Sequence, residues 1–117
     1  MSAAVNVGQN RRFKIGWIVL LVAAGLMALN HFMLMFVLDN PVLFLGFGAF
    51  NLYSLLVVAI PFARRERWAW YATWILPVVL AAVGFMDREL TLIYSVVATA
   101  CVVGLVLTVR EFFSVDR

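Results

Sequence analysis

Residues 16–38 read GWIVLLVAAGLMALNHFMLMFVL, a run of about 23 residues without Asp, Glu, Lys or Arg. An α-helix needs about 20 consecutive apolar residues to cross the hydrocarbon of a bilayer. The basic residues Arg11, Arg12 and Lys14 before this run would also suit a secretory signal. The apolar core of such a signal is only about 7–15 residues long, however. The run therefore predicts a retained helix that spans the membrane.

The composition of the whole chain extends this prediction beyond the first run. Of the 117 residues, 66% are hydrophobic and 13% are charged, and the mean hydropathy is +1.04. A soluble domain has about 45–50% apolar and about 25% charged residues, and a small chain in water cannot bury so much apolar surface. A soluble enzyme, a disordered tail, a disulfide scaffold and a free nucleic-acid binder are thereby excluded. The composition indicates an integral membrane protein in contact with the lipid bilayer.

Three further runs are long enough to cross the bilayer. Together with the first, the predicted spans are 16–38, 41–63, 68–86 and 89–110. Lipid offers the backbone no hydrogen bonds, and continuous rather than alternating apolar residues favour helices over the strands of a barrel. Because the links between the spans are only a few residues long, neighbouring helices should run antiparallel. We therefore predict an all-α, up-down-up-down four-helix bundle that forms a single membrane domain over residues 1–117.

Local signals refine the ends and the course of these spans. Asn40 suits an N-cap, and Pro41 at the first helical position loses no needed hydrogen bond. Pro61 should end the second helix. Pro77 lies in the middle of the third span and should kink it by freeing a backbone carbonyl near Thr73.

The basic residues predict the orientation of the bundle. Eight of the nine fall on one side of the four-span arrangement: Arg11, Arg12, Lys14, Arg64, Arg65, Arg67, Arg110 and Arg117. Loops rich in Lys and Arg stay in the cytoplasm. We therefore expect both termini to be cytoplasmic, in the inner (plasma) membrane of a prokaryote.

The turn between the second and third spans is a candidate contact site. It carries Arg64, Arg65, Arg67 and Trp68 within five positions. Basic and aromatic side chains at this level bind anionic lipid headgroups, and the same charges could dock an acidic patch of a cytoplasmic partner. Either interpretation makes this turn the membrane-surface site of the chain.

With a rise of 1.5 Å per helical residue, several neutral polar residues lie at a similar depth inside the predicted spans. This layer is in the outer half of the bilayer, near its middle. These candidates for a ligand site are Asn30, His31, Asn51, Ser54, Ser95 and Thr99. They could bond across helices at about 0.6 kcal/mol each and hold the bundle together. They could instead form the polar floor of a pocket. A single histidine cannot supply the roughly three protein ligands of a catalytic metal site, so we predict no metal, and the sequence identifies no cofactor.

No Asp or Glu lies deep within a predicted span. Proton-coupled transport marks its pathway with embedded ionisable residues. The chain has the length and helix number of the small multidrug exporters, but it lacks the glutamate that they carry in their first helix, so we reject that resemblance. The four-helix isomerases of sterol-like substrates also depend on buried carboxylates. Tyr94 would be a weak acid with His31 as its sole candidate base, which makes an enzyme the less favoured interpretation.

Three hypotheses of function remain. The leading one is a small polytopic membrane protein that acts by helix packing, as an accessory or assembly subunit of a larger complex or as a homo-oligomer. The second is a binder or transporter of a small lipophilic molecule, with the layer around Asn30, His31 and Asn51 as its polar site. The third, and least favoured, is a membrane-embedded isomerase. Nucleic acid is not expected as a partner.

Overall fold

The helices begin and end close to the predicted boundaries. The computed structural model describes the backbone of residues 3–113 and the side chains of residues 11–113, and no strand occurs within that part of the chain. The helices are α1 (Ala3–Val37), α2 (Pro41–Val57), α3 (Arg67–Thr73), α4 (Ile75–Met86) and α5 (Thr91–Phe113), with a π-helical turn (Val58–Phe62) directly after α2.

Four helical segments are long and apolar enough to cross a membrane. They are Arg11–Val37, Pro41–Phe62, Arg67–Met86 and Thr91–Phe113. The all-helical fold with four membrane-length helices is thus confirmed for the described residues. The predicted boundaries differ by a few residues at most ends, but α1 begins well before Gly16 because the chain stays helical through its basic residues.

The start of α2 follows its sequence signals. Pro41 is its first residue, and the side chain of Asn40 accepts a hydrogen bond from the backbone N–H of Leu43 at 3.3 Å. An N-cap of this kind satisfies one of the backbone donors that a helix leaves free at its start. The predicted stop and restart of the chain at this turn is therefore confirmed.

Pro61 lies in a distorted helical turn at the end of the second span. The residue has no backbone N–H, and its ring crowds the carbonyl one turn earlier, so the regular hydrogen-bond pattern cannot continue. The chain responds with the wider π-helical turn Val58–Phe62. The indole N–H of Trp17 donates to the carbonyl oxygen of Val58 at 2.8 Å. A side chain of α1 thus supplies a hydrogen bond to the distorted end of the second span.

Pro77 interrupts the third span at the expected place. α3 ends at Thr73 and α4 begins at Ile75, with Trp74 between them. The backbone N–H of Trp74 donates to the carbonyl of Tyr71 at 3.1 Å, three residues back rather than four. A tightened turn here agrees with the loss of the N–H that Pro77 would have offered to Thr73.

The first helix is the centre of the packing. α1 contacts both α2 and α5, and α4 packs on α5, whereas α2 scarcely contacts α4. α1 and α5 approach most closely at two glycines. A Cβ atom added to Gly16 would lie 2.6 Å from the carbonyl oxygen of Gly104, so only glycine fits there. Small residues that allow backbones to approach are the usual means of helix association in lipid.

We expect Gly16→Ala to lower the free energy of unfolding by about 1–3 kcal/mol, because the new methyl group meets backbone rather than a movable side chain. Gly25→Ala is the matched control. Nothing lies within 4 Å of a Cβ at Gly25, and alanine has the better helix propensity by about 1 kcal/mol. Unfolding of both variants in mixed micelles, followed by tryptophan fluorescence, tests this. Equal stability of the two variants would contradict the close α1–α5 contact.

Candidate functional site

The predicted polar layer divides into two groups. His31 and Asn51 are buried, each with 2% of its surface exposed, and Ser54 is half-buried. The remaining three candidates are exposed on the outside of the bundle: Asn30, Ser95 and Thr99. The structure thus brings two of the six predicted residues together and places three of them away from that pair.

Tyr94 completes the buried group. Its hydroxyl oxygen lies 2.8 Å from Nε2 of His31, and Nδ2 of Asn51 lies 3.0 Å from Nδ1 of the same ring. Each of the three side chains comes from a different helix, namely α1, α2 and α5. The histidine therefore ties the three helices together. We call His31, Asn51 and Tyr94 the buried triad.

The carbonyl oxygen of Phe47 determines how the triad is hydrogen-bonded. It can only accept, so the atom of the Asn51 amide that faces it at 2.8 Å is the nitrogen Nδ2. The second hydrogen of that nitrogen is donated to Nδ1 of His31. In a neutral imidazole the remaining hydrogen then sits on Nε2, which donates to the Tyr94 hydroxyl oxygen. We assign this tautomer from the geometry of the network.

Aromatic rings surround the histidine. The ring centroid of Phe47 lies 5.3 Å from that of His31, and that of Phe44 lies 6.4 Å away. The ring of Tyr94 meets the imidazole edge to face, with an interplanar angle of 90°. These contacts hold the imidazole in the orientation that its two hydrogen bonds require.

One atom of the buried triad has no partner. The oxygen Oδ1 of Asn51 is buried and accepts no hydrogen bond from the described residues. A cavity of about 10 Å³ adjoins the triad, and a single water molecule needs about 10–15 Å³. Pockets for small molecules measure about 300–1,000 Å³. The space beside Asn51 is therefore no larger than one water molecule.

The other hydroxyl candidates bond within their own helices. Ser54 donates to the carbonyl of Phe50 at 3.0 Å, and Thr99 donates to the carbonyl of Ser95 at 2.8 Å. Such bonds to the preceding turn are the common way for Ser and Thr to satisfy a hydroxyl in a membrane helix. Neither side chain contributes a donor to the buried triad.

The basic turn has its own intramolecular contacts. Arg65, at φ 60°, forms an ion pair with Glu111, with Nε 2.9 Å from Oε2, and its guanidinium lies 4.2 Å from the ring centroid of Phe13. A left-handed conformation costs a non-glycine residue roughly 1–2 kcal/mol, which these contacts help to offset.

The remaining members of the predicted lipid-contact site also have distinct environments. Nε of Arg67 donates to the carbonyl of Phe112 at 3.1 Å, and the indole of Trp68 donates to Glu66 at 2.5 Å. Arg64 is exposed. Arg67 and Trp68 are exposed as well, and lipid or partner contact at this turn stays a prediction.

Tyr94 is the residue that sequence reasoning left out of the layer. It precedes Ser95, so the two side chains point about 100° apart on α5 and only one can face inward. The buried positions of α5 recur every three or four residues: Tyr94, Ala98, Cys101, Leu105, Thr108 and Phe112. A search of α5 for small and aromatic residues at this spacing would have identified Tyr94, rather than Ser95, as the inward residue.

The chemistry of the buried triad is that of neutral hydrogen-bonding groups. No cluster of three or more His, Cys, Asp or Glu residues occurs in the part of the chain that the structure describes. What the arrangement does is couple three helices through one imidazole. Each interhelical bond of this kind contributes about 0.6 kcal/mol on average and up to about 1.7 kcal/mol.

We expect Asn51→Leu and Tyr94→Phe each to lower the free energy of unfolding by about 1 kcal/mol, because each leaves one nitrogen of His31 unpaired. The double variant should lose less than the sum, since both changes act through the same ring. Thr99→Val is the control, because its exposed hydroxyl bonds only its own helix. Unfolding measurements in mixed micelles test this. Strict additivity of the two changes would contradict a coupled triad.

Comparison with known proteins was made for family, sequence and fold. No family model matches the chain, and neither a curated protein nor a solved structure matches it. The function proposed next rests on the geometry of the described residues.

Proposed function

We propose that this chain is a small polytopic integral membrane protein that acts by helix packing with a protein partner in the bilayer. It would serve as an accessory or assembly subunit of a larger complex or form a homo-oligomer. The observation that carries this proposal is the outward placement of Asn30, a polar amide in the middle of an otherwise apolar exposed surface.

The depth of Asn30 makes its exposure significant. It lies seven residues before the end of α1 at Val37, about 10 Å along the axis. It also lies 16 residues beyond Lys14, about 24 Å along the axis, which is within the roughly 30 Å of hydrocarbon. The side chain is too short to reach water from there. Acyl chains cannot satisfy its N–H and carbonyl groups, and a polar group left unpaired in hydrocarbon costs several kcal/mol.

The seam between α4 and α5 offers a second surface for helix packing. Ser95 and Thr99 lie on an outward groove of about 430 Å³ with the small residues Ala81 and Ala98. Small and hydroxylated residues allow close approach of another helix. A helix packed on this seam would bury the groove.

A second candidate function, binding of a small lipophilic molecule, is favoured by the unpartnered Oδ1 of Asn51. A ligand hydroxyl could donate to this oxygen. The adjoining cavity of about 10 Å³ holds no more than such a hydroxyl group, whereas pockets for small molecules measure about 300–1,000 Å³. This small volume places the ligand hypothesis second to helix packing.

The proposal includes one membrane domain with alternating helices and both termini in the cytoplasm of a prokaryote. The contacts between α1 and α5 support it, because Phe13 packs near Phe112 whereas His31 bonds Tyr94 further along α1. Later residues of α1 thus meet earlier residues of α5, which is the pairing of antiparallel helices. The basic residues support the orientation, although one of them, Arg117, lies outside the described residues.

Two single-cysteine variants test this orientation. In a Cys101→Ala background we expect Arg88→Cys, but not Arg64→Cys, to react with a membrane-impermeant maleimide added to intact cells, because the two exposed turns lie on opposite sides of the membrane in the proposal. Permeabilised cells, in which both variants should react, provide the control. Labelling of Arg64→Cys in intact cells would overturn the proposed topology.

The protein mass of the detergent-extracted particle tests whether the chain has a partner. Extracted in a mild detergent, the chain should migrate as a particle whose protein mass exceeds 13.1 kDa by at least one further polypeptide. Light scattering corrected for bound detergent measures this. A strictly monomeric particle without a co-purifying protein would contradict the proposal.

A further inference from the structure

The outer half of α1 presents an exposed face that contains Asn30 and also includes Leu29 and Phe36. Leu26, Met33 and Val37 flank Asn30, with 61%, 59% and 74% of their surfaces exposed. No hydrogen bond joins the Asn30 side chain to another group among the residues that the structure describes. We call Asn30 and these three flanking residues the Asn30 stripe.

The spacing of the Asn30 stripe is that of a helix-pair seam. Its members follow one another at intervals of four, three and four residues, which is the alternation of the a and d positions in a coiled coil. Asn30 occupies an a position, between d residues Leu26 and Met33. A single asparagine at an a position sets the register and the number of helices in such pairs.

The hydrogen-bonding groups of the Asn30 amide indicate which partner packs on the stripe. Asn30 needs both a donor and an acceptor at its own depth, and an acyl chain supplies neither. A second copy of the chain supplies both, because two amides related by a twofold axis each donate an N–H to the carbonyl oxygen of the other. A different protein would have to carry a matching group at the same depth, whereas self-complementarity is inherent in an isologous contact.

We propose that a second copy of this chain packs in parallel on the Asn30 stripe, with the two Asn30 amides hydrogen-bonded across the twofold axis. This inference rests on the proposed function and names the partner. The parallel arrangement follows from membrane insertion, since both copies enter the bilayer in the same orientation. Residues at equal depth therefore meet, which is the condition for an asparagine to face its own copy.

An apolar groove continues the contact surface toward the other end of α1. It lies between α1 and α5, measures about 340 Å³ and includes Leu26, the first member of the stripe. Val22 and Ala100 line its two sides, and no polar atom is exposed in it. The side chains that the second copy presents around its own Leu26 would enter this groove. The polar pair thus stands at one end of a longer apolar contact.

Disulfide cross-linking in native membranes tests the inference. In a Cys101→Ala background, Leu26→Cys places a thiol on the stripe, and Leu56→Cys places one on α2, where Leu56 has 50% of its surface exposed. Under mild oxidation the Leu26→Cys chain should form a covalent dimer at least tenfold faster than the Leu56→Cys chain. This comparison leaves Asn30 unchanged, so it does not depend on the folding of any Asn30 variant.

Substitutions at Asn30 then test the amide itself. Added to Leu26→Cys, Asn30→Leu should slow dimer formation at least fivefold, whereas Asn30→Gln, which keeps an amide, should restore most of the rate. Tyr53→Phe, which removes an exposed hydroxyl from α2 outside the stripe, should leave the rate unchanged. Equal cross-linking at Leu26 and Leu56, or no effect of Asn30→Leu, would overturn the inference.

The cross-linked products also distinguish a failure of this inference from a failure of the proposed function. A covalent adduct of Leu26→Cys with a polypeptide of different mass would overturn self-association and leave helix packing with a partner standing. A chain that forms no adduct and is monomeric in mild detergent would overturn both. A homodimer lost on Asn30→Leu and regained on Asn30→Gln would support both.

Discussion

A polar group inside the hydrocarbon has to find its partner within protein, and this constraint governs most of the structure. Pro61 disrupts the end of the second span, and the indole of Trp17 bonds the carbonyl of Val58 in the widened turn. The indole of Trp70 likewise donates to the carbonyl of Leu105 on α5 at 3.1 Å. These tryptophans lie near the ends of membrane-length helices, and their N–H groups link neighbouring helices.

The same constraint explains the opposite roles of two asparagines. The amide nitrogen of Asn51 is satisfied twice, by the carbonyl of Phe47 and by the ring of His31, so it serves the interior of the bundle. Asn30 is the neighbour of His31 in sequence but points away from it, toward the surface of α1. Asn51 thus joins α2 to the histidine of α1, and Asn30 is the asparagine that our proposal assigns to a further helix.

The number and approximate bounds of the helices could be predicted because the bilayer sets a length that each apolar run must match. The inward and outward faces of the helices could not be predicted in the same way. In water, an apolar stripe marks the buried side of a helix, but lipid is as apolar as a protein core, so hydropathy does not separate the inward from the outward side of α1 or α5. This is why depth correctly grouped His31 with Asn51, whereas Ser95 was chosen and its inward neighbour Tyr94 was not.

Charge counting has a similar limit at the membrane surface. It located the basic turn, because Arg and Lys are rare in this chain, but it could not anticipate that Arg65 meets Glu111 and Phe13 or that Arg67 bonds the end of α5. Those contacts link residues more than 40 positions apart, and no local pattern encodes them. Two of the three arginines thereby fasten the turn to α5, and Arg64 and Arg67 remain exposed.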